Sequence, residues 1–184
     1  MRKVIFGVFC LCVALLVGCH QGDSLSQEEP VTGEMYDTGQ FQILVPEPWK
    51  AIPIQDPFAE GRPVMTDCVF LRKGGESDWK VTEKPYIRID CYGAGEIDMQ
   101  IPEEDLKHDP EMIDPMELGD LVWSGYTADD YQGRVNLGRF AVLWAEDTEH
   151  SYQVYVWFKS GGEKISLEDR DVQAILAGVS ASKE

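Results

Sequence analysis

Few residues in this chain could carry nucleophilic chemistry. Ser124 lies in a stretch with strand character beside Trp123, and the chain has no Gly-x-Ser-x-Gly turn of the kind that exposes the nucleophile of α/β-hydrolases. His150 falls in a predicted polar loop, where a histidine is more often a solvent-facing turn residue than a general base. We therefore predict that the protein is not an enzyme, with a hydrolase as the least favoured alternative.

Carboxylates are concentrated between residues 93 and 120, where ten Asp and Glu residues accompany a single lysine. Oxygen ligands suit Ca²⁺, but the segment has no EF-hand-type loop. Three histidines without paired spacing make zinc a poorer candidate still. We predict a partner-binding acidic surface, with cation binding as the alternative and no other cofactor. Its residues are Glu103, Glu104, Asp105, Asp109 and Glu111.

Two cysteines lie in predicted neighbouring strands, at about residues 66–72 and 86–92. If the strands pair antiparallel with Cys68 opposite Cys91, the Cα atoms would be about 4.5–5.5 Å apart, which suits a disulfide. The alternative is two buried free thiols that pack as small hydrophobic groups. The sequence does not decide between the disulfide and the free thiols.

Aromatic residues dominate the second half of the chain, and four of them could form a binding surface: Trp123, Tyr126, Tyr155 and Trp157. Strand alternation places Tyr155 and Trp157 on one face and Val154, Val156 and Phe158 on the other. One face must be core, so the other could bind a sugar, a hydrophobic ligand or a protein.

The first nineteen residues have the layout of a secretory leader. Arg2 and Lys3 precede an apolar run of about 14 residues, which is shorter than the roughly 20 needed to span a bilayer. The run ends in Leu16-Val17-Gly18-Cys19, which resembles the lipobox of bacterial lipoproteins. This resemblance implies a lipidated Cys19 and a bacterial membrane location facing outward from the cytoplasm. The alternative is an ordinary cleaved leader that ends beside a cysteine by chance.

Charge and composition then predict the domain organisation. Removing residues 1–18 takes away two cations and no carboxylate, so the net charge changes from −17 to −19. Such a charge disfavours nucleic acid as a partner. We predict a signal peptide over residues 1–18, the lipidated cysteine and a flexible acidic tether over 19–37, and a single globular domain over 38–184.

The pattern of the globular part predicts an α+β fold, with an antiparallel β-sheet packed against a C-terminal amphipathic helix. The strongest predicted strands, residues 140–145 and 152–158, should form a central hairpin. Ser166 is the predicted N-cap of the closing helix, because Val172, Ile175, Leu176 and Val179 follow at helical spacing. Prolines at 102, 110 and 115 predict a surface excursion over 93–120, with helical turns near 96–100 and 103–107.

Three stretches carry a further resemblance: FQILVPEPW from Phe41, LGDLVWSGY from Leu118 and SLEDRDVQAILAGV from Ser166. In this order they resemble the Mog1/PsbP-like α/β/α sandwich family. The resemblance implies such a sandwich over roughly residues 35–182. It implies protein binding or complex assembly, and it assigns no functional residue.

These observations together predict a membrane-anchored extracytoplasmic lipoprotein. Its expected role is that of a non-enzymatic protein-binding or assembly-accessory domain, held at the membrane by lipid on Cys19. The expected partner is another extracytoplasmic protein. The alternative is a lipoprotein that binds a small ligand or solute in an aromatic pocket.

Overall fold

The computed structural model describes residues 29–74, 85–96, 108–160 and 163–182. Their elements are twelve strands and one helix in this order: β1 (Gly33–Asp37), β2 (Phe41–Pro46), β3 (Trp49–Gln55), β4 (Val64–Lys73), β5 (Tyr86–Gly93), β6 (His108–Leu118), β7 (Leu121–Gln132), β8 (Val135–Glu146), β9 (His150–Trp157), β10 (Lys159–Ser160), β11 (Glu163–Lys164), α1 (Arg170–Ala177) and β12 (Ser180–Ala181). The predicted leader, Cys19, most of the predicted tether and the predicted helical turn at 103–107 lie outside the described residues, as does most of the turn at 96–100.

Seven strands form one antiparallel sheet in the order β3-β4-β5-β9-β8-β7-β6. The predicted hairpin of residues 140–145 and 152–158 is confirmed as the β8–β9 pair, and β9 is the middle strand of the sheet. A smaller sheet has the order β1-β2-β12, and β10 pairs with β11. Antiparallel pairing between consecutive strands therefore organises most of the described chain, and in the large sheet the β5–β9 pair joins the two runs of strands.

The main core lies between one face of the seven-stranded sheet and a layer made by the small sheet and α1. Phe41 and Ile43 of β2 and Ile175 of α1 are fully buried in this layer. They pack against the inward residues of the large sheet, among them Val69, Leu71, Ile87, Ile89, Trp123, Leu143, Val154 and Val156. Full burial of each such aliphatic side chain contributes about 1.5–3 kcal/mol.

The predicted α+β fold class is wrong, and so is the α/β/α sandwich implied by the resemblance to Mog1 and PsbP. The fold is β-rich: its single helix in the described chain has eight residues and shares its layer with β1, β2 and β12. The helix prediction itself is confirmed at residues 170–177, where Val172, Ile175 and Leu176 are buried. The class prediction failed because two segments, one assigned to the tether and one to the surface excursion, are strands.

The clearest of these segments is β6, which occupies the second half of the predicted acidic excursion. Pro110 and Pro115 do not prevent strand formation because each falls in an irregularity of the pairing with β7. The register shifts between His108 and Glu111 and again between Ile113 and Met116. β6 is also the outermost strand, where a missing backbone N–H is tolerated.

The predicted boundary between tether and domain also lies too late in the chain. β1 pairs antiparallel with β2 over five residues, from Gly33 opposite Pro46 to Asp37 opposite Gln42. β1 is an edge strand with mostly exposed side chains, so its sequence is polar and lacks the hydrophobic alternation that predicts a strand. The folded part therefore includes residues 33–37, which had been assigned to the tether.

The start of α1 differs from its prediction by one turn. The N-cap is Asp169, whose backbone oxygen accepts the first helical hydrogen bond from Gln173. Ser166 instead donates through its backbone N–H and its hydroxyl to the Asp169 carboxylate. No helix in the described part of the chain is long and apolar enough to cross a membrane.

Asp171 ties α1 to the edge of the large sheet. Its Oδ2 accepts hydrogen bonds from Trp49 Nε1 at 2.7 Å and from Lys73 Nζ at 2.6 Å. Burial raises the pKa of this carboxyl, but the hydrogen bonds from Lys73 and Trp49 outweigh burial and hold the pKa below its ordinary value of 3.8. The ionised form is thus the one that stabilises the fold.

We expect Asp171→Ala to lower the free energy of unfolding by about 1–3 kcal/mol at neutral pH, because it leaves the Trp49 N–H without its acceptor. A carboxyl with a lowered pKa stabilises the fold fully above its ordinary value, and this contribution is lost as pH falls through the native pKa. The difference between wild type and variant should therefore shrink below about pH 4. Urea unfolding at several pH values measures it, with the exposed Glu168→Ala as control. A pH-independent difference would contradict the role of the charge.

Candidate functional site

The face of the seven-stranded sheet turned away from the main core is the candidate binding surface, and we call it the outer face. Three rows of directly paired residues define it. The middle row consists of Ile52, Phe70, Arg88, Tyr155, Val142, Tyr126 and Met112, from β3 to β6. One flanking row consists of Arg72, Tyr86, Trp157, Phe140 and Ala128, and the other of Cys68, Asp90, Gln153, Trp144 and Ser124.

Aromatic side chains form the centre of the outer face. Trp157 stacks between two cross-strand neighbours, with ring centroids 6.2 Å from Tyr86 and 5.7 Å from Phe140. Phe70 meets Tyr86 edge to face at 5.4 Å. Stacked rings occupy one another's π faces, so a flat platform for sugar rings fits this arrangement poorly.

A second apolar cluster extends the aromatic centre toward β7. Its buried members are Tyr126, Ala128, Phe140 and Val142, and the half-buried Trp144, Tyr155 and Trp157 pack against it. All of these residues belong to β7, β8 and β9, so α1 and the small sheet contribute no described member. The large sheet thus has two apolar faces, only one of which belongs to the main core.

An ion pair lies within this apolar surface. Asp90 Oδ1 accepts hydrogen bonds from Arg88 Nε at 2.9 Å and from Arg88 Nη2 at 2.8 Å. Asp90 is only 5% exposed, and burial raises the pKa of its carboxyl although Arg88 opposes the shift. The Arg88 guanidinium is partly exposed and lies 5.7 Å from the Phe70 ring centroid. Arg88 is therefore a fixed cation that a bound molecule could reach.

The structure places three of the four predicted surface aromatic residues on the outer face. Tyr126, Tyr155 and Trp157 share the outer face, and Tyr155 and Trp157 lie on the opposite side of β9 from Val154 and Val156, as the alternation predicts. Trp123 does not join them, because it is fully buried in the main core. Sequence reasoning missed Phe70, Arg88 and Phe140 as members. The period-two alternation of their strands was the signal that could have found them.

No disulfide forms, and Cys68 and Cys91 are the free thiols of the second alternative. Cys68 pairs with Asp90 rather than with Cys91, so Cys68 lies on the outer face and Cys91 in the main core. Burial raises the pKa of Cys68 to about 11 and that of Cys91 to about 12. Both thiols are protonated at neutral pH and are poor nucleophiles.

Only two residues of the predicted acidic surface can be placed, because Glu103, Glu104 and Asp105 lie outside the described residues. Asp109 and Glu111 belong to β6, at the far edge of the large sheet. Glu111 Oε2 accepts a hydrogen bond from Arg139 Nη2 at 2.6 Å, and Asp109 lies 3.9 Å from the same guanidinium. Within the described residues, no group of three metal-ligating side chains comes together.

A cleft of about 890 Å³ lies between β1 and β3. These are the outermost strands of their two sheets. Tyr36, Trp49 and Pro48 supply apolar walls, and Glu34, Glu47 and Lys50 supply charged groups. The sequence did not predict this cleft, since β1 was not recognised as a strand.

Comparison with known proteins adds a likeness in fold and no family. No family model matches the chain, and no curated protein matches it. Among solved structures, the chain is similar to a crystal structure of a protein from Bacteroides thetaiotaomicron VPI-5482, with 9% sequence identity and a TM-score of 0.50. The match covers 83% of this chain and 50% of that one, so the chain spans half the length of that structure. At this identity the likeness concerns the fold alone.

Proposed function

We propose that this protein is a lipid-anchored extracytoplasmic protein-binding or assembly-accessory domain whose outer face contacts the partner. The observation that carries the proposal is the second apolar face of the large sheet, to which the small sheet and α1 contribute nothing. An anchor on Cys19 would hold this surface beside a bacterial membrane, where the partner would be another extracytoplasmic protein.

The residue types of the outer face support protein binding. Tyr, Trp and Arg are the residues that most often contribute large binding energies at protein interfaces. Here Tyr155, Trp157 and Trp144 are half-buried around the partly exposed Arg88. A broad sheet face supports a protein partner better than a small ligand, because ligand pockets bury most of the surface of the ligand.

Site-specific photo-crosslinking in intact cells tests this proposal. A photoreactive phenylalanine analogue at Tyr155 should give one major protein adduct. The same analogue at Phe58, which is 96% exposed in the β3–β4 connection, should not give it. Trp144→Ala should weaken binding of the purified partner about tenfold, the effect of losing one strong interface contact.

Three results would contradict the proposal. One is the same adduct from Phe58 as from Tyr155, and another is the absence of any Tyr155 adduct. The third is unchanged partner binding by a Trp144→Ala variant that retains the unfolding midpoint of wild type. A small molecule that copurifies with the wild type and is lost from Trp144→Ala would favour the small-ligand alternative instead.

A further inference from the structure

The cleft between β1 and β3 has an open strand edge as one of its walls. Thr38 donates its backbone N–H to Phe41 O at the β1–β2 turn, which identifies that pair as hydrogen-bonded. Antiparallel pairing alternates, so Tyr36 and Glu34 bond to β2 as well. Pro46 lies opposite Gly33 and has no N–H to donate. This agrees with the alternation, in which Gly33 and Pro46 form a pair without hydrogen bonds between them.

The other residues of β1 then direct their backbone groups away from β2. These are Gly33, Met35 and Asp37, and in the described chain β1 has no neighbour on that side. A strand with a free edge is a template for an added strand, because unpaired N–H and C=O groups gain partners there. The Met35 side chain is 54% exposed beside this edge.

The negative charge at the cleft favours a positively charged added strand. β1 carries two carboxylates, Glu34 and Asp37, and no cation, and Glu47 adds a third carboxylate at the cleft against the single cation of Lys50. The chain as a whole has a net charge of −17. A second copy adding through its own β1 would bring these carboxylates together, which like-charge repulsion disfavours.

We propose that the β1–β3 cleft binds an extended, lysine- or arginine-containing peptide segment of a partner protein, which adds as a strand to the open edge of β1. Backbone groups of Met35 and its alternate neighbours hold the segment. Tyr36 and Trp49 provide apolar contact, and Glu34 and Glu47 face its cations. This site is separate from the outer face, so it stands or falls independently of the function proposed for that face.

Peptide binding to the full-length protein, purified in a non-ionic detergent, tests the proposal by fluorescence anisotropy. The probe is a labelled synthetic peptide of alternating lysine and valine, and its counterpart has glutamate in place of lysine. We expect the lysine peptide to bind at least about tenfold more tightly at low salt, with the difference reduced at high salt because screening weakens attraction between exposed charges. Equal binding of both peptides, or no binding of the lysine peptide, would overturn the proposal.

Two variants at one position separate the backbone from the side chain. Met35→Pro removes the outward N–H on an edge strand, where proline is tolerated, and should weaken the lysine peptide about tenfold by leaving its carbonyl unpaired. Met35→Ala keeps the N–H and should bind within about threefold of wild type, since it loses only a partly exposed side chain. Equal affinity of Met35→Pro and wild type would overturn strand addition.

Two further measurements keep the proposal testable if Met35→Pro does not fold. In the wild type, the lysine peptide should slow hydrogen exchange at the outward amides of Met35 and Asp37, and unchanged exchange there would overturn the proposal. Light scattering without peptide should give a monomeric protein mass after correction for detergent. A dimer that Met35→Pro dissociates would assign the edge to a second copy and would also overturn the proposal.

Discussion

Cys19→Ala should move the protein from the membrane pellet into the soluble exported fraction. The diacylglyceryl group that a lipobox implies is joined to the Cys19 sulfur by a thioether, and alanine cannot accept it. Each buried methylene of the acyl chains contributes about 0.8 kcal/mol to membrane binding, so two or three chains make the anchor stable. Electrostatic attraction offers no replacement, because a net charge of −17, or of −19 without residues 1–18, repels anionic head groups.

Fractionation with and without detergent measures this effect, and mass spectrometry of the mature N-terminus identifies the modification directly. Cys12→Ala is the matched control, since it changes a cysteine inside the apolar run and should leave the protein in the pellet. Retention of Cys19→Ala in the pellet, or an unmodified Cys19 in the wild type, would refute the lipid anchor.

The second large effect concerns the turn between β6 and β7, which packs against the end of α1. Gly119 has a φ of +65°, and a Cβ added there would lie 2.2 Å from the backbone oxygen of Ala177. Gly133, in the turn between β7 and β8, has a nearly identical φ of +64°, but its surroundings are open to at least 4 Å. Replacing either glycine with alanine therefore introduces the same backbone strain. Only the replacement at Gly119 also places a Cβ against the backbone of α1.

Gly133→Ala should lower the free energy of unfolding by about 1–2 kcal/mol, the cost of a left-handed conformation for alanine. Gly119→Ala should cost about 1–3 kcal/mol more, because the backbone of α1 must also move. Urea denaturation of the two variants measures the difference. Equal losses would mean that the turn does not pack against α1 as the structure places it.

The β8–β9 hairpin shows what sequence patterns predict well in this protein. Its strands alternate strongly, its loop is polar and short, and each strand finds its partner through local sequence. The closing helix was predictable for the same reason, since Val172, Ile175 and Leu176 repeat at helical spacing. Both signals are local, and neither depends on which distant element covers the hydrophobic face.

The two cysteines show that local sequence patterns do not predict strand register. The strands β4 and β5 were recognised, but their register differs by a single residue from the one that a disulfide would require. A one-residue shift moves a side chain to the opposite face of a sheet, so it separates Cys68 from Cys91. The connection between these strands is too long for a tight turn to dictate the register, and the packing of Val69, Leu71, Ile87 and Ile89 into one core selects it.

The candidate site depended on tertiary structure even more. Alternation alone indicated that Tyr155 and Trp157 share a face, but it did not reveal which face of β9 lies in the main core. Trp123 was named among the surface candidates because it is aromatic, although its strand turns that side chain inward. The assignment needs the position of the small sheet and α1, which cover only one side of the large sheet.

The sequence by itself predicted a leader with a lipobox-like end, and it determined the excess of negative charge, the central hairpin and the position of the single described helix. Each of these follows from composition or from a short-range period. Only the tertiary structure decided that the polar segment 33–37 is an edge strand and that the proline-containing segment 108–118 is another. Edge strands need few hydrophobic residues because a neighbouring strand stabilises them through backbone hydrogen bonds, so pairing across the sheet, and not the local pattern, creates both the outer face and the cleft.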